Sequence, residues 1–274
     1  MPNYKLVALD MDGTTYHSMG HVVEENIEPI IKVQASGTKV VFVTGRPLHA
    51  PQNRFVENGF TKYESIAIGY NGGLIYDFSE NKKIAENPIP KETLKYAFTE
   101  AAHYANDENV LWAYSTDEQT VFLNKDIKGT PLEAETVFYA GKFVKVTPQN
   151  LDALNDSYKM LATNCTDDFL ANLSANGFEV AYSKQSVTAE INKAGINKKF
   201  GVEFLCHKYG ITPEEVIAMG DGKNDVPMLE YVGLSIAPSN ANPVVKQVVD
   251  EVLNLTSTEG AVAHVLNKYI LKGN

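Results

Sequence analysis

Residues 5–15 read KLVALDMDGTT, a short apolar run followed at once by two aspartates, a glycine and two threonines. An apolar run of this length, bounded by polar residues, predicts a strand buried on both faces. Similar runs recur along the chain, and several are separated by stretches with helical spacing. This alternation predicts an α/β fold built on a doubly wound parallel sheet. The other predicted strands cover residues 38–43, 65–68, 216–219, 234–237 and 252–255, and the predicted helices cover residues 24–35, 47–58, 198–209, 242–249 and 259–271.

The middle of the chain has a different pattern. From residue 84 to residue 187 the strands have two unlike faces, and segments 91–104 and 166–176 have a helical spacing that would cover one face of a sheet. Turn-forming residues lie at both ends of this region. We therefore expect an inserted α+β domain of residues 84–187, with residues 1–83 and 188–274 forming the parallel-sheet core.

The chain is acidic, with 24 basic and 34 acidic residues and a formal net charge of −10 over 274 residues. This charge would repel a nucleic-acid backbone or an anionic membrane, so neither is an expected partner. A small phosphorylated metabolite would meet the same repulsion unless a bound cation or backbone N–H groups offset it locally. A protein of this charge that acts on such metabolites therefore needs a local anion site.

The two cysteines, Cys165 and Cys206, show no CxxC spacing. Neither a disulfide framework nor a zinc cluster is therefore expected, and a reducing cytoplasm suits this composition. The first residues lack the apolar core of a signal peptide, and no run approaches the ~20 apolar residues of a membrane-spanning helix. We expect a cytoplasmic protein, and its oligomeric state cannot be derived from the sequence.

Asp10 and Asp12 follow the first predicted strand two positions apart, so both carboxylates point to the same side. In open α/β sheets, ligands bind beyond the carboxyl ends of the strands, where these residues lie. One carboxylate could attack a phosphoryl group, and the other could protonate the leaving oxygen and then activate water. Gly13 would let an anion approach the backbone closely. The alternative is an Asx-type turn that merely ends the strand.

A second polar strand end is Thr44-Gly45-Arg46, followed by Pro47, which suits the first position of a helix. A hydroxyl, a flexible glycine and the free N–H groups of a helix N-terminus would form an anion site. The alternative is that Thr44 only caps the predicted helix or ends the strand.

A third strand end reads Gly220-Asp221-Gly222-Lys223-Asn224-Asp225. Additional carboxylates at the same sheet edge would repel one another unless a divalent cation neutralised them. Mg²⁺ is commonly held by one or two carboxylates together with substrate phosphate. Asp221 fits this interpretation, whereas Asp225 could instead cap the next helix.

Lys198 would begin a helix and could reach a phosphate or offset the charge of the nucleophile, although as one of a Lys-Lys pair it could equally be solvated. His17 and His21, four residues apart, are candidate ligands of a softer metal, but no other soft ligand accompanies them. The polar strand ends and this helix start belong to one predicted sheet, so their side chains can converge on one point.

The order of these motifs resembles that of the haloacid dehalogenase superfamily, specifically its Cof-type phosphatases, over essentially the whole chain. The resemblance implies a Rossmann-like core, Mg²⁺ as cofactor and a mobile cap, here residues 84–187, inserted after the second motif and closing over the site. It also implies that Asp10 is the nucleophile and Asp12 the general acid/base. The remaining roles it implies are phosphate binding by Thr44, Gly45, Lys198 and Asn224, Mg²⁺ coordination by Asp10, Asp12 (through its carbonyl) and Asp221, and support from Arg46 and Asp225.

The chain departs from the family pattern at three places. Lys193 stands where a proline is usual, Lys199 stands where a glycine follows the lysine, and Pro238-Ser239 stands where Met-Gly is common. The first two departures leave the choice between Lys198 and its neighbouring lysines open. The third changes the loop expected beside the metal.

The leading hypothesis is a Mg²⁺-dependent phosphatase that hydrolyses small phosphorylated metabolites, such as a sugar phosphate or a cofactor phosphate, through an aspartyl-phosphate intermediate. One alternative is a phosphomutase or phosphotransferase on the same core, with a sugar hydroxyl replacing water. Another is a phospho-accepting signalling domain. Asp12 argues against that domain, because a second carboxylate near a phosphoaspartate would hasten its hydrolysis. No motif identifies the substrate, because side chains of the insert would select it.

Overall fold

The strands in the described part of the chain form two sheets, and the chain divides into two compact units. The computed structural model describes residues 4–17, 20–50, 53–104, 108–183 and 186–271. The first unit, called the core unit, comprises residues 1–85 and 197–274. The second, called the inserted unit, comprises Glu86–Ile196.

The elements are named in chain order. The strands are β1 Leu6–Asp10, β2 Lys39–Val43, β3 Ile66–Gly69, β4 Leu74–Asp77, β5 Lys82–Glu86, β6 Val110–Ser115, β7 Thr120–Leu123, β8 Lys142–Lys145, β9 Ser157–Thr163, β10 Phe178–Ser183, β11 Ser186–Lys193, β12 Val216–Met219, β13 Leu234–Ala237 and β14 Glu251–Val252. The α-helices are α1 Glu24–Ala35, α2 Lys91–Glu100, α3 Asp167–Ala175, α4 Lys198–Tyr209, α5 Val226–Leu229, α6 Pro243–Lys246 and α7 Ala261–Leu266, and a π-helical turn covers Asn267–Leu271.

Over the described residues, the core sheet contains eight strands in the order β14-β13-β12-β1-β2-β3-β4-β5. The pairs from β14 to β3 are parallel, whereas β3 and β4 are antiparallel. In the centre, Ala8 lies between Val41 of β2 and Ala218 of β12. Strands β1 and β12 are buried along their whole length, as strands covered on both faces should be. The predicted α/β fold is confirmed.

The ends of helix α4 are set by two residues next to it in the sequence, and its position is set by close packing against the core sheet. The Asn197 side chain caps its first turn by accepting a backbone hydrogen bond, and Gly210, with φ 64°, ends it in the left-handed region. Gly201 lets the helix approach the sheet closely, since a Cβ there would lie 2.6 Å from Cγ2 of Ile68. This packing places Lys198, the first residue of α4, against the sheet.

The predicted helix over residues 47–58 is wrong, because turns replace it in the part of this segment that the structure describes. Arg54 has a left-handed backbone, with φ 47°, which a right-handed helix cannot contain. The Asn53 side chain donates to the carbonyls of Pro47 and Leu48, at 3.0 and 2.8 Å. It thereby takes up acceptors that a helix would have used.

The inserted unit contains, over its described residues, a six-stranded sheet in the order β10-β11-β9-β6-β7-β8. Strands β7 and β8 are parallel, and the other pairs are antiparallel. Helices α2 and α3 pack on one face of this sheet, where Leu94 and Phe169 join Phe122 and Met160 in an apolar cluster. The arrangement is α+β, with two helices covering one face.

The carboxyl boundary of the inserted unit differs from the expected one. The expected insert, residues 84–187, ends inside β11, whereas the inserted unit continues to Ile196. Strand β11 pairs with β10 on one side and with β9 on the other. A strand with partners on both sides belongs to that sheet, so the turn-forming residues before it join two strands of one domain.

Across the described residues, none of the helices combines the length and the apolar character that crossing a membrane requires.

Candidate active site

The predicted site segments meet at the carboxyl edge of the core sheet. Asp10 is the last residue of β1, Thr44 directly follows β2, and Asp221 lies just after β12. Because β1 pairs in parallel with β2 and with β12, these strand ends lie side by side. The sheet topology thus brings residues from distant parts of the chain to one edge.

Lys198 reaches this edge from the start of α4. Its Nζ donates hydrogen bonds to Oδ1 of Asp10 and to Oδ1 of Asp225, both at 2.6 Å. All three side chains are buried. The neighbouring Lys199 instead lies over the Tyr231 ring, 5.4 Å from the ring centroid. The geometry therefore selects Lys198, not Lys199, as the lysine beside Asp10.

Burial is the largest influence on the pKa values of the carboxyl groups in this cluster. It raises the pKa of Asp10 and that of Asp225 to about 6, and the attraction of Lys198 only partly offsets it. Burial also raises the pKa of Asp221, with a contribution from the Asp225 charge. For Lys198, burial lowers the pKa, but the two carboxylates outweigh burial and hold that pKa above its usual range. Several carboxyl groups thus share one ammonium group, which favours a further positive charge.

The donor atoms at this edge fit a hard cation. Carboxylate oxygens of Asp10, Asp221 and Asp225 lie within 4.8 Å of one another, and oxygen ligands are those that Mg²⁺ prefers. In the part of the chain that the structure describes, this group includes neither histidine nor cysteine. The interpretation of His17 and His21 as ligands of a softer metal therefore has no support at this edge.

The side chain of Asp12 is not a member of that carboxylate group. It forms an ion pair with Arg46 and is 42% exposed, whereas the Arg46 side chain is 6% exposed. The expected Mg²⁺ ligands included Asp12 only through its backbone carbonyl, which this ion pair leaves unaffected. A partly exposed carboxylate held by a buried guanidinium group can exchange protons with water or a bound molecule.

Asp225 organises the acidic loop. Its Oδ2 accepts hydrogen bonds from the N–H groups of Asp221 and Gly222, at 3.0 and 2.8 Å, while its Oδ1 accepts from Lys198. The alternative that Asp225 caps the following helix is wrong, because its side chain makes no capping hydrogen bond to α5. Its carboxylate instead ties the loop to α4.

Gly13 brings the first motif against Asp221. It has φ 78°, and a Cβ at this position would lie 2.5 Å from Oδ2 of Asp221. Thr14 Oγ1 donates to Oδ1 of the same carboxylate at 3.0 Å. The Gly13 carbonyl accepts a hydrogen bond from Nδ2 of Asn240 at 2.9 Å, so the loop after Pro238-Ser239 also contacts the first motif. Any side chain at position 13 would displace Asp221.

Thr44 is 1% exposed, and its hydroxyl accepts a hydrogen bond from the Arg46 N–H at 3.1 Å. No α-helix begins at Pro47 among the described residues, so the expected helix N-terminal donors do not form here. The hydroxyl instead makes a local hydrogen bond to the backbone that follows β2. Because that hydroxyl is the acceptor, its proton can still be donated to an anion.

Asn71 also lies at this sheet edge, although no motif in the sequence indicated it. Its Oδ1 accepts a hydrogen bond from Nδ2 of Asn224 at 3.4 Å, and it follows β3 at the same sheet edge as Thr44. The signal that could have found it is a polar residue just after an apolar run, the signal that identified Asp10.

Comparison with known proteins agrees with this geometry. Residues 7–266 match the haloacid dehalogenase-like hydrolase family. A phosphoglycolate phosphatase from Methanopyrus kandleri is 43% identical over 265 residues, covering 97% of this chain and 97% of its own. A 5-amino-6-(5-phospho-D-ribitylamino)uracil phosphatase from Bacillus subtilis is 26% identical, over 97% of this chain and 96% of its own. A solved haloacid dehalogenase-like hydrolase from Bacteroides thetaiotaomicron is 25% identical, with a TM-score of 0.76, covering 97% of this chain and 99% of that one.

The chain belongs to the haloacid dehalogenase-like hydrolase family. The predicted superfamily and the predicted enzyme class, a hydrolase of the phosphatase type, are confirmed by this match and by the phosphatases among its relatives.

Proposed function

We propose that this chain is a Mg²⁺-dependent phosphatase that hydrolyses small phosphorylated metabolites through an aspartyl-phosphate on Asp10. The observation that carries the proposal is the buried Lys198 ammonium between Asp10 and Asp225, with the Asp221 carboxylate close by. A nucleophile, a fixed positive charge and a cation-binding carboxylate thus occupy one sheet edge. Phosphoryl transfer needs that combination, because its catalysis is largely positioning and charge stabilisation.

In the first step, a carboxylate oxygen of Asp10 attacks phosphorus and the ester P–O bond breaks. Asp12, as the carboxylic acid, gives its proton to the departing oxygen. Lys198 holds the Asp10 carboxylate in place through the 2.6 Å hydrogen bond. Arg46 holds the side chain of Asp12 through their ion pair. The two aspartates therefore have separate cationic partners and separate tasks.

In the second step, the Asp12 carboxylate takes a proton from water, and the hydroxide attacks the phosphorus of the phosphoaspartate. The acyl phosphate P–O bond breaks, inorganic phosphate leaves, and the Asp10 carboxylate is restored. Residues assigned to hold the phosphate are Thr44 through its hydroxyl, Gly45 through its backbone, Lys198 through its charge and Asn224 through its carboxamide.

The residues assigned to hold Mg²⁺ are Asp10, Asp221 and the carbonyl of Asp12. When bound, the ion would supply positive charge that neutralises and orients the phosphoryl oxygens. Asp225 is assigned a supporting role. Its hydrogen bonds to the N–H groups of Asp221 and Gly222 hold the acidic loop in its folded conformation beside Asp10.

Relatives support small phosphorylated metabolites as the substrate class. The names of two of them specify phosphoglycolate and 5-amino-6-(5-phospho-D-ribitylamino)uracil, and a sugar phosphate or a cofactor phosphate falls in the same class. All residues assigned to the reaction belong to the core unit. We therefore assign the choice of substrate to the inserted unit, Glu86–Ile196.

The direct experiment measures release of inorganic phosphate by the purified protein with Mg²⁺. It uses 4-nitrophenyl phosphate and a panel of phosphorylated metabolites. We expect steady release over many turnovers. A single phosphorylation per chain without further release would instead indicate a signalling domain. Phosphoryl transfer to a sugar hydroxyl without free phosphate would indicate a phosphomutase, and either result would overturn hydrolysis as the function.

Substituting Asp12 is expected to slow turnover in a way that depends on the leaving group. In Asp12→Asn, the turnover of an alkyl phosphate should fall by about 10² to 10⁴-fold, because an alkoxide needs a proton as it leaves. The loss should be smaller for 4-nitrophenyl phosphate, whose leaving group needs little protonation. Steady-state rates of the two esters, measured on the same preparation, check this. Equal losses for both esters would contradict the role of Asp12 as the acid.

A methyl group at position 13 is expected to impair both stability and turnover. Gly13→Ala should lower the free energy of unfolding by about 1–2 kcal/mol, the cost of a left-handed backbone for an L-residue. It should also lower turnover by about 10- to 100-fold, because Asp221 must move away from the new Cβ. Thermal melting and the rate with 4-nitrophenyl phosphate measure the two effects.

Gly195→Ala is the matched control for this change. Gly195 has φ 77°, and a Cβ there meets nothing within 4 Å. The control should share the loss of stability and keep the wild-type rate. If both variants kept the wild-type rate, the close approach of Gly13 to Asp221 would have no catalytic role.

A further inference from the structure

The segment Tyr70-Asn71-Gly72 is strained. All three residues have positive φ, at 52°, 56° and 108°. Tyr70 and Asn71 are 1% and 4% exposed. A left-handed backbone is unfavourable for residues other than glycine, least so for asparagine. Such strain is retained where surrounding contacts enforce it, and it is concentrated at functional sites.

Contacts of this turn join two loops of the proposed active site. The Tyr70 N–H donates to the Arg46 carbonyl at 3.1 Å, and the Asn71 N–H donates to the Thr44 carbonyl at 2.9 Å. The Asn71 side chain accepts the hydrogen bond from Asn224, at 3.4 Å. The backbone of the turn therefore fixes the Thr44 loop, while one side chain reaches the acidic loop.

We propose that Asn71 is a positioning residue that holds the Asn224 carboxamide in its phosphate-binding orientation. This inference depends on the proposed function, because it takes Asn224 as a phosphate-binding residue. Glycine would adopt the backbone of position 71 at least as readily as asparagine. The backbone therefore does not require asparagine, whereas the contact with Asn224 does require a side chain at this position.

Asn71→Gly tests this inference, because it removes the side chain and keeps the left-handed backbone accessible. We expect the inhibition constant of orthovanadate, a phosphate analogue, to rise about 3- to 10-fold, as for the loss of one neutral hydrogen bond. The KM for 4-nitrophenyl phosphate should rise similarly, while kcat changes by less than about twofold, since the lost contact is made equally in the ground state and the transition state. The melting temperature should stay close to that of the wild type.

A double-mutant cycle with Asn224→Ala identifies the path of the effect. If Asn71 acts through Asn224, then Asn71→Gly should have no further effect on either constant in the Asn224→Ala background. Asn164→Gly is the matched control, since Asn164 is an exposed left-handed residue, with φ 57°. That control should leave both constants unchanged.

Two outcomes would overturn the inference alone. One is an Asn71→Gly protein with wild-type inhibition by orthovanadate, and the other is a full effect of Asn71→Gly in the Asn224→Ala background. A wild-type protein that neither hydrolyses 4-nitrophenyl phosphate nor binds orthovanadate would overturn the proposed function, and the inference with it. The wild-type measurement thus distinguishes the two failures.

Discussion

Replacing Asp10 with asparagine should abolish phosphate-ester turnover, with a loss of roughly 10⁴-fold or more. A neutral carboxamide is a poor nucleophile, so no bond to phosphorus forms. The fold should survive, because Asp10→Asn keeps the size of the side chain. Rates with 4-nitrophenyl phosphate and far-UV circular dichroism check the two expectations. Asp168→Asn provides a control, since Asp168 is exposed in the first turn of α3. This substitution should leave turnover unchanged.

Trapping the covalent intermediate locates the nucleophile directly. In Asp12→Asn the phosphoaspartate lacks a base for the attack of water, so the adduct should accumulate at Asp10. Peptide mass spectrometry of the acid-quenched protein would identify the phosphorylated residue. A phosphorylated residue other than Asp10, or an Asp10→Asn protein with full activity, would refute the mechanism proposed here.

Removal of divalent cations should have the second large effect. After treatment with a chelator and desalting, turnover should fall by at least about 100-fold and return on addition of Mg²⁺. Asp10, Asp221 and Asp225 form a group of three carboxyl groups, and the Lys198 ammonium bonds to two of them, Asp10 and Asp225. Without the cation, the remaining negative charge of the group has no counter-ion. The folded protein should remain, with a lower melting temperature, because an ion that binds only the folded state stabilises it.

Sodium chloride at the same ionic strength is the control and should restore no activity. Asp221→Asn should raise the Mg²⁺ concentration needed for half-maximal turnover and reduce the increase in melting temperature caused by Mg²⁺. Full turnover after exhaustive removal of metal would rule out Asp221 as a ligand to a required cation.

Much of the fold could be predicted because its signals are local. The predicted helices 24–35 and 198–209 coincide with α1 and α4, and α4 carries its own cap and its own terminating glycine. Residues 47–58 have a similar apolar spacing, yet the described part of this segment forms turns. Side-chain hydrogen bonds of Asn53 to nearby carbonyls oppose the helix there, and apolar spacing does not reveal them.

Part of the candidate site was predictable because its signals are also local in the sequence. Asp10, Thr44 and Asp221 end or follow apolar runs, and a parallel sheet places such residues at one edge. Asn71 also follows a strand, but its importance rests on a contact with Asn224. A contact between residues so far apart in the chain depends on the direction of both side chains, which spacing does not encode.

The sequence by itself determined the α/β class, the strand ends and the chemical types of residue at those ends, because hydrophobic periodicity is a property of neighbouring residues. Only the tertiary structure decided that Lys198 lies between Asp10 and Asp225, and that Asp12 forms an ion pair with Arg46. The reason is physical. Burial and charge pairing set the protonation and orientation of these groups, and both arise only when segments distant in sequence pack together.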